Sequence, residues 1–190
     1  VKSDKINIEF STLAIPALIQ STPTKRYDVI MNAVMAIPLA KARGLELVVL
    51  STALRAGSTR ENAAVWVKKN SPVKTIADLK GKTIGDAALR STGTTWVRIA
   101  LNAKYGVNVS YKNGDFKWVQ MPPPALFGAL ETGRVDAATL IHSMAYKAEK
   151  SGNFRVIAYT SRDLYEKLGV DTVSAVNVSY PEKLKARPEA

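Results

Sequence analysis

Apolar residues along the chain follow two spacings in turn, one typical of strands and one typical of helices. Apolar runs predict strands at 6–10, 27–31, 45–50, 63–68, 83–85, 117–121, 135–140, 155–159 and 173–178. The helical spacing predicts helices at 16–21, 36–43, 94–105, 125–131 and 143–150, and one helical turn beginning at Thr75. Strands that alternate with helices indicate an α/β fold with mostly parallel sheets, in which a run such as 45–50 is covered on both faces.

The same pattern occurs twice, 108 positions apart and without a gap, so that Pro16-Ala17-Leu18 is matched by Pro124-Ala125-Leu126. The other matched positions are Thr24, Arg26, Asp28, Ala40, Gly44, Val48 and Thr52 with Thr132, Arg134, Asp136, Ala148, Gly152, Val156 and Thr160. Such a repeat predicts two similar lobes that face each other across a ligand cleft. The alternative is that any two strand-helix-strand units share apolar strands and helices that end at glycine.

Composition narrows the chemistry that the chain can perform. With 46% hydrophobic and 23% charged residues it is typical of a soluble globular protein, and its longest apolar run, 33–40, is too short to span a bilayer. It has no cysteine, which excludes disulfides, thiol nucleophiles and thiolate-bound zinc. His142 is the single histidine, so a histidine-rich metal site is excluded as well. We therefore expect no metal and no cofactor.

The net charge of +11 favours anionic partners. The 27 lysines and arginines are scattered, and no basic run with interleaved aromatics and no helix-turn-helix pattern accompanies them. We therefore expect a small anion as the ligand and no nucleic acid.

Three motifs carry a resemblance to a known family. The first is Ser71-Pro72-Val73-Lys74-Thr75-Ile76-Ala77-Asp78-Leu79-Lys80-Gly81-Lys82-Thr83-Ile84-Gly85, and the others are Ser91-Thr92-Gly93-Thr94-Thr95 and Gly133-Arg134-Val135-Asp136-Ala137. They resemble solute-binding proteins of ABC importers, in the nitrate, sulfonate and taurine branch that shares its fold with thiamine-precursor binding proteins. The resemblance implies a two-lobed type-2 periplasmic-binding-protein fold.

The resemblance also implies the organisation and role of the chain. We expect residues 1–72 to form the first part of lobe one, 73–160 to form lobe two, and 161–190 to return to lobe one. Such a protein, which we expect to be a monomer, captures a small anionic solute and delivers it to the membrane subunits of an ABC permease. Its expected location is the periplasm, or the outer surface as an anchored lipoprotein.

Two features depart from the family pattern. Lys25-Arg26-Tyr27-Asp28 replaces the usual glycine before aspartate in lobe one, and the sequence begins past the family's first strand and helix. We therefore expect a fragment of a longer protein.

The strongest candidate site is the segment Arg90-Ser91-Thr92-Gly93-Thr94-Thr95, which joins a predicted strand to a predicted helix. A helix N-terminus presents unpaired N–H groups and partial positive charge. Glycine permits close approach of a ligand, and the hydroxyls add donors for a carboxylate, sulfonate, nitrate or phosphate. The alternative is that Ser91 or Thr92 merely caps the helix.

Further polar candidates lie where predicted strands end, because ligands of open α/β sheets meet the carboxyl ends of strands. These candidates are Asn32, Thr52, Met121 and His142. Each has a structural alternative: a turn residue for Asn32, a strand-ending hydroxyl for Thr52, a loop before a helix for Met121 and an ordinary hydrogen bond for His142. Asp28 and Asp136 precede predicted strands and are interpreted as caps or turn acceptors rather than catalytic groups.

Two other functions remain open at this point. An enzyme of cofactor biosynthesis could use the same fold, although His142 is the one catalytic group that the sequence offers it. The effector-sensing domain of a transcription regulator would need a DNA-binding helix pair, which the sequence lacks.

Overall fold

The computed structural model describes residues 7–13, 15–56 and 63–188. Its helices are α1 (Ile15–Ser21), α2 (Ala36–Ala42), α3 (Thr92–Tyr105), α4 (Pro123–Thr132), α5 (His142–Ser151), α6 (Thr160–Leu168) and α7 (Pro181–Ala186). Its strands are β1 (Ile30–Ala33), β2 (Val48–Ala56), β3 (Ala63–Lys68), β4 (Thr83–Asp86), β5 (Lys117–Gln120), β6 (Ala137–Ile141), β7 (Phe154–Tyr159) and β8 (Thr172–Ser179). Short 3-10 turns lie at Thr22–Thr24 and Ala77–Leu79. In the described part of the chain, no helix combines the length and apolar character that a membrane crossing needs.

The chain divides into two compact units, one formed by residues 1–54 and 175–190 and the other by residues 55–174. These boundaries differ from those expected from the sequence, which fell at 72/73 and 160/161. The reason is that β3 pairs with β6 and β7, and α6 follows β7 directly, so both elements belong to the second unit.

The α/β class is confirmed, but the sheets are mixed rather than mostly parallel. In the second unit the strand order is β5-β4-β6-β3-β7, with β4 parallel to β5 and β6 and with β3 antiparallel to β6 and β7. Two strands that run parallel are joined by a crossover connection, which is usually a helix. Residues 69–82, which join β3 to β4, contain only one 3-10 turn, and β3 runs antiparallel to β6, the neighbour of β4. In the first unit the order is β1-β8-β2, and β1 runs antiparallel to β8.

Most predicted elements are present, and the exceptions have local causes. The strand predicted at 27–31 begins only at Ile30, after a bend at 27–29. β2 begins at Val48 and continues to Ala56, and it exposes Val49 and Leu50, so the expectation of a strand covered on both faces is wrong. The strand predicted at 6–10 lies partly outside the described residues, and within them only Asn7 forms a bridge.

Helix α6 has no counterpart among the predicted elements. Its buried residues are Thr160, Ser161, Asp163 and Leu164, so its inner face is mostly polar. An apolar period of 3.6 residues is the signal by which a helix is found in a sequence. In α6 only Leu164 of the apolar residues Leu164, Tyr165 and Leu168 is buried, because hydrogen-bonding groups fill the rest of the inner face.

Two clusters of buried apolar residues lie in the second unit and cover both faces of its sheet. Along β3, Ala63, Val65 and Val67 belong to one buried cluster, and Ala64 and Trp66 belong to the other. The first cluster includes Val97 and Leu101 of α3, and the second includes Leu126 and Leu130 of α4. Side chains of a strand alternate between the two faces of a sheet, so β3 is buried on both. This packing fixes the helices that carry the candidate site.

The sequence repeat is confirmed as a repeat of secondary structure. The order α1-β1-α2-β2 in the first unit corresponds to α4-β6-α5-β7 in the second, at positions 108 apart. Gly44 and Gly152 follow α2 and α5 with φ of +76° and +65°, the left-handed conformation that ends many helices at glycine.

Candidate ligand-binding site

The candidate site begins with the loop that joins β4 to α3. Three hydrogen bonds fix this loop at Leu89 and Ser91: the N–H of Leu89 donates to Gln120 Oε1 at 3.1 Å, the hydroxyl of Tyr111 donates to the carbonyl of Leu89, and the N–H of Ser91 donates to the carbonyl of Ala88 at 2.8 Å. The backbone N–H and the carbonyl of Leu89 are therefore both hydrogen-bonded to side chains from other segments. The start of α3 is therefore held by contacts within the protein.

Ser91 is the N-cap of α3, as the structural alternative predicted. Its backbone is extended, and its Oγ accepts the N–H of Thr94 at 3.1 Å. Its carbonyl accepts both the N–H and the hydroxyl of Thr95, at 3.0 and 2.9 Å. The hydroxyls of Ser91 and Thr95 thus already have roles within the helix.

A buried carboxylate that sequence reasoning missed lies beneath this turn. Asp86 ends β4 and is 2% exposed. The Thr94 hydroxyl lies 2.9 Å from each of its oxygens, the N–H of Ala88 donates to Oδ1 at 2.7 Å, and the Thr139 hydroxyl donates to Oδ2. The Ser91 hydroxyl lies 3.0 Å from Thr94 Oγ1. The site hydroxyls of Ser91 and Thr94 are therefore oriented inward by Asp86.

The groups left available at the helix start are those of Thr92 and Gly93. No hydrogen bond to either backbone N–H is formed within the described part of the chain, as expected for the first turn of a helix. The hydroxyl of Thr92 is buried without a partner. A Cβ placed on Gly93 would meet only Ser91 Oγ, at 3.7 Å, so a methyl group has room at this position. No acidic residue lies in the first turn to offset the helix dipole.

The far end of α3 is anchored to α6. Lys104 Nζ donates to Asp163 Oδ1 and to Glu166 Oε2, each at 2.7 Å, and the Tyr105 hydroxyl donates to Asp163 Oδ2 at 2.8 Å. Asp163 is 1% exposed. Burial and this hydrogen bond raise the pKa of Tyr105 to about 12, and the same carboxylates raise the pKa of Lys104. The indole N–H of Trp96 donates to the carbonyl of Val173 at 2.9 Å, which holds the middle of the helix.

Of the remaining predicted residues in the second unit, Met121 lies beside the loop. Its N–H donates to the carbonyl of Asp86 at 3.0 Å, and its half-buried side chain packs against the second core cluster. Arg90 is exposed on the loop itself. His142 begins α5 directly after β6, but its side chain lies outside the described residues.

Asn32 and Thr52 belong to the first unit. Asn32 is buried within β1 rather than in a turn, and its Oδ1 accepts the N–H of Ala33 at 2.9 Å. Thr52 was expected at the end of a strand but lies in the middle of β2, where it is exposed. That placement is wrong because β2 starts and ends later than the apolar run that predicted it.

The two repeat aspartates are structural acceptors, as interpreted from the sequence. Asp136 Oδ2 accepts the N–H of Thr83 at 2.9 Å, at the start of β4 and opposite the end that carries Asp86. Asp28 Oδ1 accepts from Lys183 Nζ at 2.8 Å, and this hydrogen bond lowers the pKa of Asp28.

A recess of about 410 Å³ lies at the opposite edge of the second sheet from the start of α3. Its lining residues are Lys68, Lys69, Asn70, Glu131, Asn153 and Phe154. None of the fixed backbone donors described above faces it, and within the described residues no cluster of His, Asp or Glu could hold a metal ion. Among the described residues, the start of α3 therefore remains the candidate site.

Comparison with known proteins identifies the class of the chain. Residues 5–167 match the family of phosphonate ABC transporter periplasmic substrate-binding proteins. Because this match spans well over half of the chain, the protein belongs to that family.

Solved structures support the same fold. The periplasmic aliphatic sulphonate binding protein SsuA from Escherichia coli has a TM-score of 0.68 and 20% identity, over 91% of this chain and 54% of that protein. A sulfonate-binding protein from Methylobacillus flagellatus has a TM-score of 0.70 and 22% identity, over 92% and 48%. The chain thus spans about half the length of these relatives, and the predicted periplasmic-binding fold is confirmed.

A curated relative carries a different name. The 4,5-dihydroxyphthalate decarboxylase of Comamonas testosteroni is 37% identical over 59 residues, which are 31% of this chain and 17% of the enzyme. The match is confined to a small part of that enzyme, whereas the family and the similar folds are those of transport binding proteins.

Proposed function

We propose that the chain is part of the substrate-binding component of an ABC importer and binds a small oxyanion at the start of α3. The observation that carries this proposal is the pair of backbone N–H groups of Thr92 and Gly93, which have no hydrogen-bond partner among the described residues and follow a loop held by three hydrogen bonds. Oxyanions bind helix N-termini because these N–H groups and the helix dipole both favour negative charge. The inward orientation of the Ser91 and Thr94 hydroxyls leaves the backbone as the main donor.

The compounds for which the family and its relatives are named have an oxyanion group in common. Phosphonate, sulphonate and dihydroxyphthalate all present two or three oxygens on one central atom, with negative charge spread over them. A first helical turn can donate to such a group without contacts to the rest of the molecule. We therefore propose that the oxyanion, rather than the organic part of the solute, is recognised here.

The remaining roles follow from membership in the family. We propose that the protein works in the periplasm or on the outer surface as a monomer, passes its solute to ABC permease subunits, and breaks no bond in it. Arg90, Met121 and His142 remain proposed ligand contacts beside this turn, and Asn32 and Thr52, in the first unit, remain predictions from the sequence.

Replacement of Gly93 by alanine tests the proposal. The added methyl group has room in the free protein, but it would stand where a ligand approaches the N–H groups of the first turn. A thermal-shift screen of alkylsulfonates, taurine, nitrate, aromatic carboxylates and thiamine precursors would identify a ligand. Calorimetry should then show affinity weakened at least tenfold by Gly93→Ala, with stability equal or higher because alanine favours helix.

Gly128→Ala is the matched control, because Gly128 lies within α4, has a helical backbone and has no atom within 4 Å of an added Cβ. It should leave affinity unchanged. Equal affinity of Gly93→Ala and the parent protein would contradict binding at this turn.

The match to the decarboxylase supports an enzyme as a second candidate. Incubation with 4,5-dihydroxyphthalate separates the two functions, because a binding protein would return the compound intact and an enzyme would release carbon dioxide. We expect binding or no effect, without turnover.

A further inference from the structure

The carboxylate of Asp86 lies one hydroxyl group away from the first turn of α3. Thr94 is the third residue of that helix, and its hydroxyl lies 2.9 Å from both Asp86 oxygens. Within the described part of the chain, Asp86 forms no hydrogen bond to Gly93. It reaches the turn through Thr94 and through the N–H of Ala88.

Within the described part of the chain, Asp86 forms no ion pair with a cation. Its donors are two hydroxyls and one amide, all of them neutral groups. Among the described residues no lysine or arginine nitrogen lies within 4.0 Å of it. Arg90, on the same loop, is exposed to solvent. Because Asp86 is 2% exposed, water screens its field only weakly.

Two electrostatic fields of opposite sign therefore act at the first turn of α3. The free N–H groups of the helix act as roughly half a positive charge, whereas the buried carboxylate below contributes a whole negative charge. One negative charge on a ligand can be satisfied by the N–H groups at hydrogen-bonding distance. A second negative charge would add repulsion from Asp86 without adding backbone donors.

We propose that Asp86 makes this site selective for monoanionic over dianionic oxyanions. The inference rests on the proposed function of the site and specifies its substrate class: sulfonates, carboxylates, nitrate and singly charged phosphonate esters bind, and free phosphonate dianions are disfavoured. Asp86 is a specificity-determining residue that acts through space and through Thr94, without contact to the ligand.

Three probes of similar shape and different charge test this at pH 9.5, which lies well above the second pKa of an alkylphosphonate. Butanesulfonate and the monomethyl ester of butylphosphonate each carry one negative charge, and butylphosphonate carries two. We expect similar affinities for the two monoanions and an affinity at least tenfold weaker for the dianion. In Asp86→Asn, binding of the dianion should strengthen until it lies within about threefold of the sulfonate.

Asp136→Asn is the matched control, because it changes net charge equally but removes a carboxylate at the opposite end of β4. It should leave the ratio of affinities as in the parent protein. If Asp86→Asn does not fold, the comparison of ester and dianion in the parent protein still decides the question, since these two probes share a phosphorus centre.

The outcomes distinguish this inference from the function on which it rests. Equal affinity for butanesulfonate and butylphosphonate, with both lost in Gly93→Ala, would overturn the role of Asp86 and leave the oxyanion site standing. An unchanged ratio in folded Asp86→Asn would do the same. Failure of all three probes to bind would overturn both proposals.

Discussion

The two copies of the repeat share a pattern of residues but differ in how deeply those residues are buried. In the second unit, Leu126 of α4 is fully buried and β6 is buried at four of its five positions. In the first unit, the matching Leu18 is only half-buried, β1 is buried at alternate positions, and α2 has no buried residue. A repeated pattern therefore specifies local structure twice, but it does not specify the same environment twice.

The difference arises from the number of strands on which each copy packs. β6 lies at the centre of five strands and has helices on both faces, so every side chain along it meets another element. β1 and β2 are the outer strands of a three-stranded order. Burial is decided by these neighbours, which come from distant parts of the chain.

The largest effect is expected from matched truncations of the repeat leucine. Leu126→Ala should lower the free energy of unfolding by about 2–5 kcal/mol, since it removes a fully buried side chain and leaves a cavity. Leu18→Ala, at the same place in the other copy, should cost about 1 kcal/mol, because much of that side chain already meets water. Urea unfolding, followed by hydrogen exchange in peptides from each copy, measures both values.

Equal losses for the two leucines would break the comparison. They would mean that the first copy buries its leucine as fully as the second. Leu39→Ala serves as a surface control, because Leu39 is 51% exposed and its loss should have little effect.

A smaller effect than at the leucines, equal in the two copies of the repeat, is expected at the matched glycines. Gly44 and Gly152 both have positive φ, and neither has an atom within 4 Å of an added Cβ. Alanine at either position should therefore cost about 1–2 kcal/mol, from backbone strain alone. Thermal unfolding of the two variants measures this, and Gly128→Ala, with a helical backbone, should cost nothing.

Unequal costs at Gly44 and Gly152 would show that tertiary packing also enters at the helix ends. Equal costs, together with unequal costs at Leu18 and Leu126, would separate the local part of the repeat from its environment.

The same distinction explains which parts of the fold could be predicted from the sequence. Helix ends at Gly44, Gly133 and Gly152 were predictable because a left-handed residue is a local requirement. The antiparallel placement of β3 was not, since it depends on pairing with β6, more than 70 positions away. Helix α6 was missed because its buried face is polar and is satisfied by partners such as Lys104, on α3.

The candidate site also has one part that could be predicted from the sequence and one part that could not. The turn around Gly93 could be predicted because a strand, a glycine, several hydroxyls and a helix follow one another directly in the sequence. Asp86 could not, because its burial depends on the hydroxyl of Thr139, 53 positions further on. A carboxylate at the end of a short buried strand, beside a threonine on the neighbouring strand, is the signal that would have indicated it.

The smallest expected effect is a pH dependence of stability, which should appear at alkaline pH for Tyr105 in the second unit and at acidic pH for Asp28 in the first. In the second unit the pKa of Tyr105 is raised from 10.0 to about 12, so its contribution is complete below pH 10 and is lost as pH rises through 12. In the first unit the pKa of Asp28 is lowered from 3.8 by Lys183, so its contribution is present above that pH and is lost as pH falls. Both side chains are at least a third exposed, so each contribution should stay below about 1 kcal/mol.

Two variants measure these contributions. The urea midpoint of Tyr105→Phe should lie below that of the parent protein at pH 9, and the gap should narrow by pH 11.5, because the variant has no phenol to ionise. Tyr165→Phe, on the exposed side of α6, should show no such change. For Asp28→Asn the gap should be present at pH 6 and should narrow as the pH falls towards 3. If both gaps narrowed at the same end of the pH scale, the expectation that Tyr105 acts at alkaline pH and Asp28 at acidic pH would be wrong.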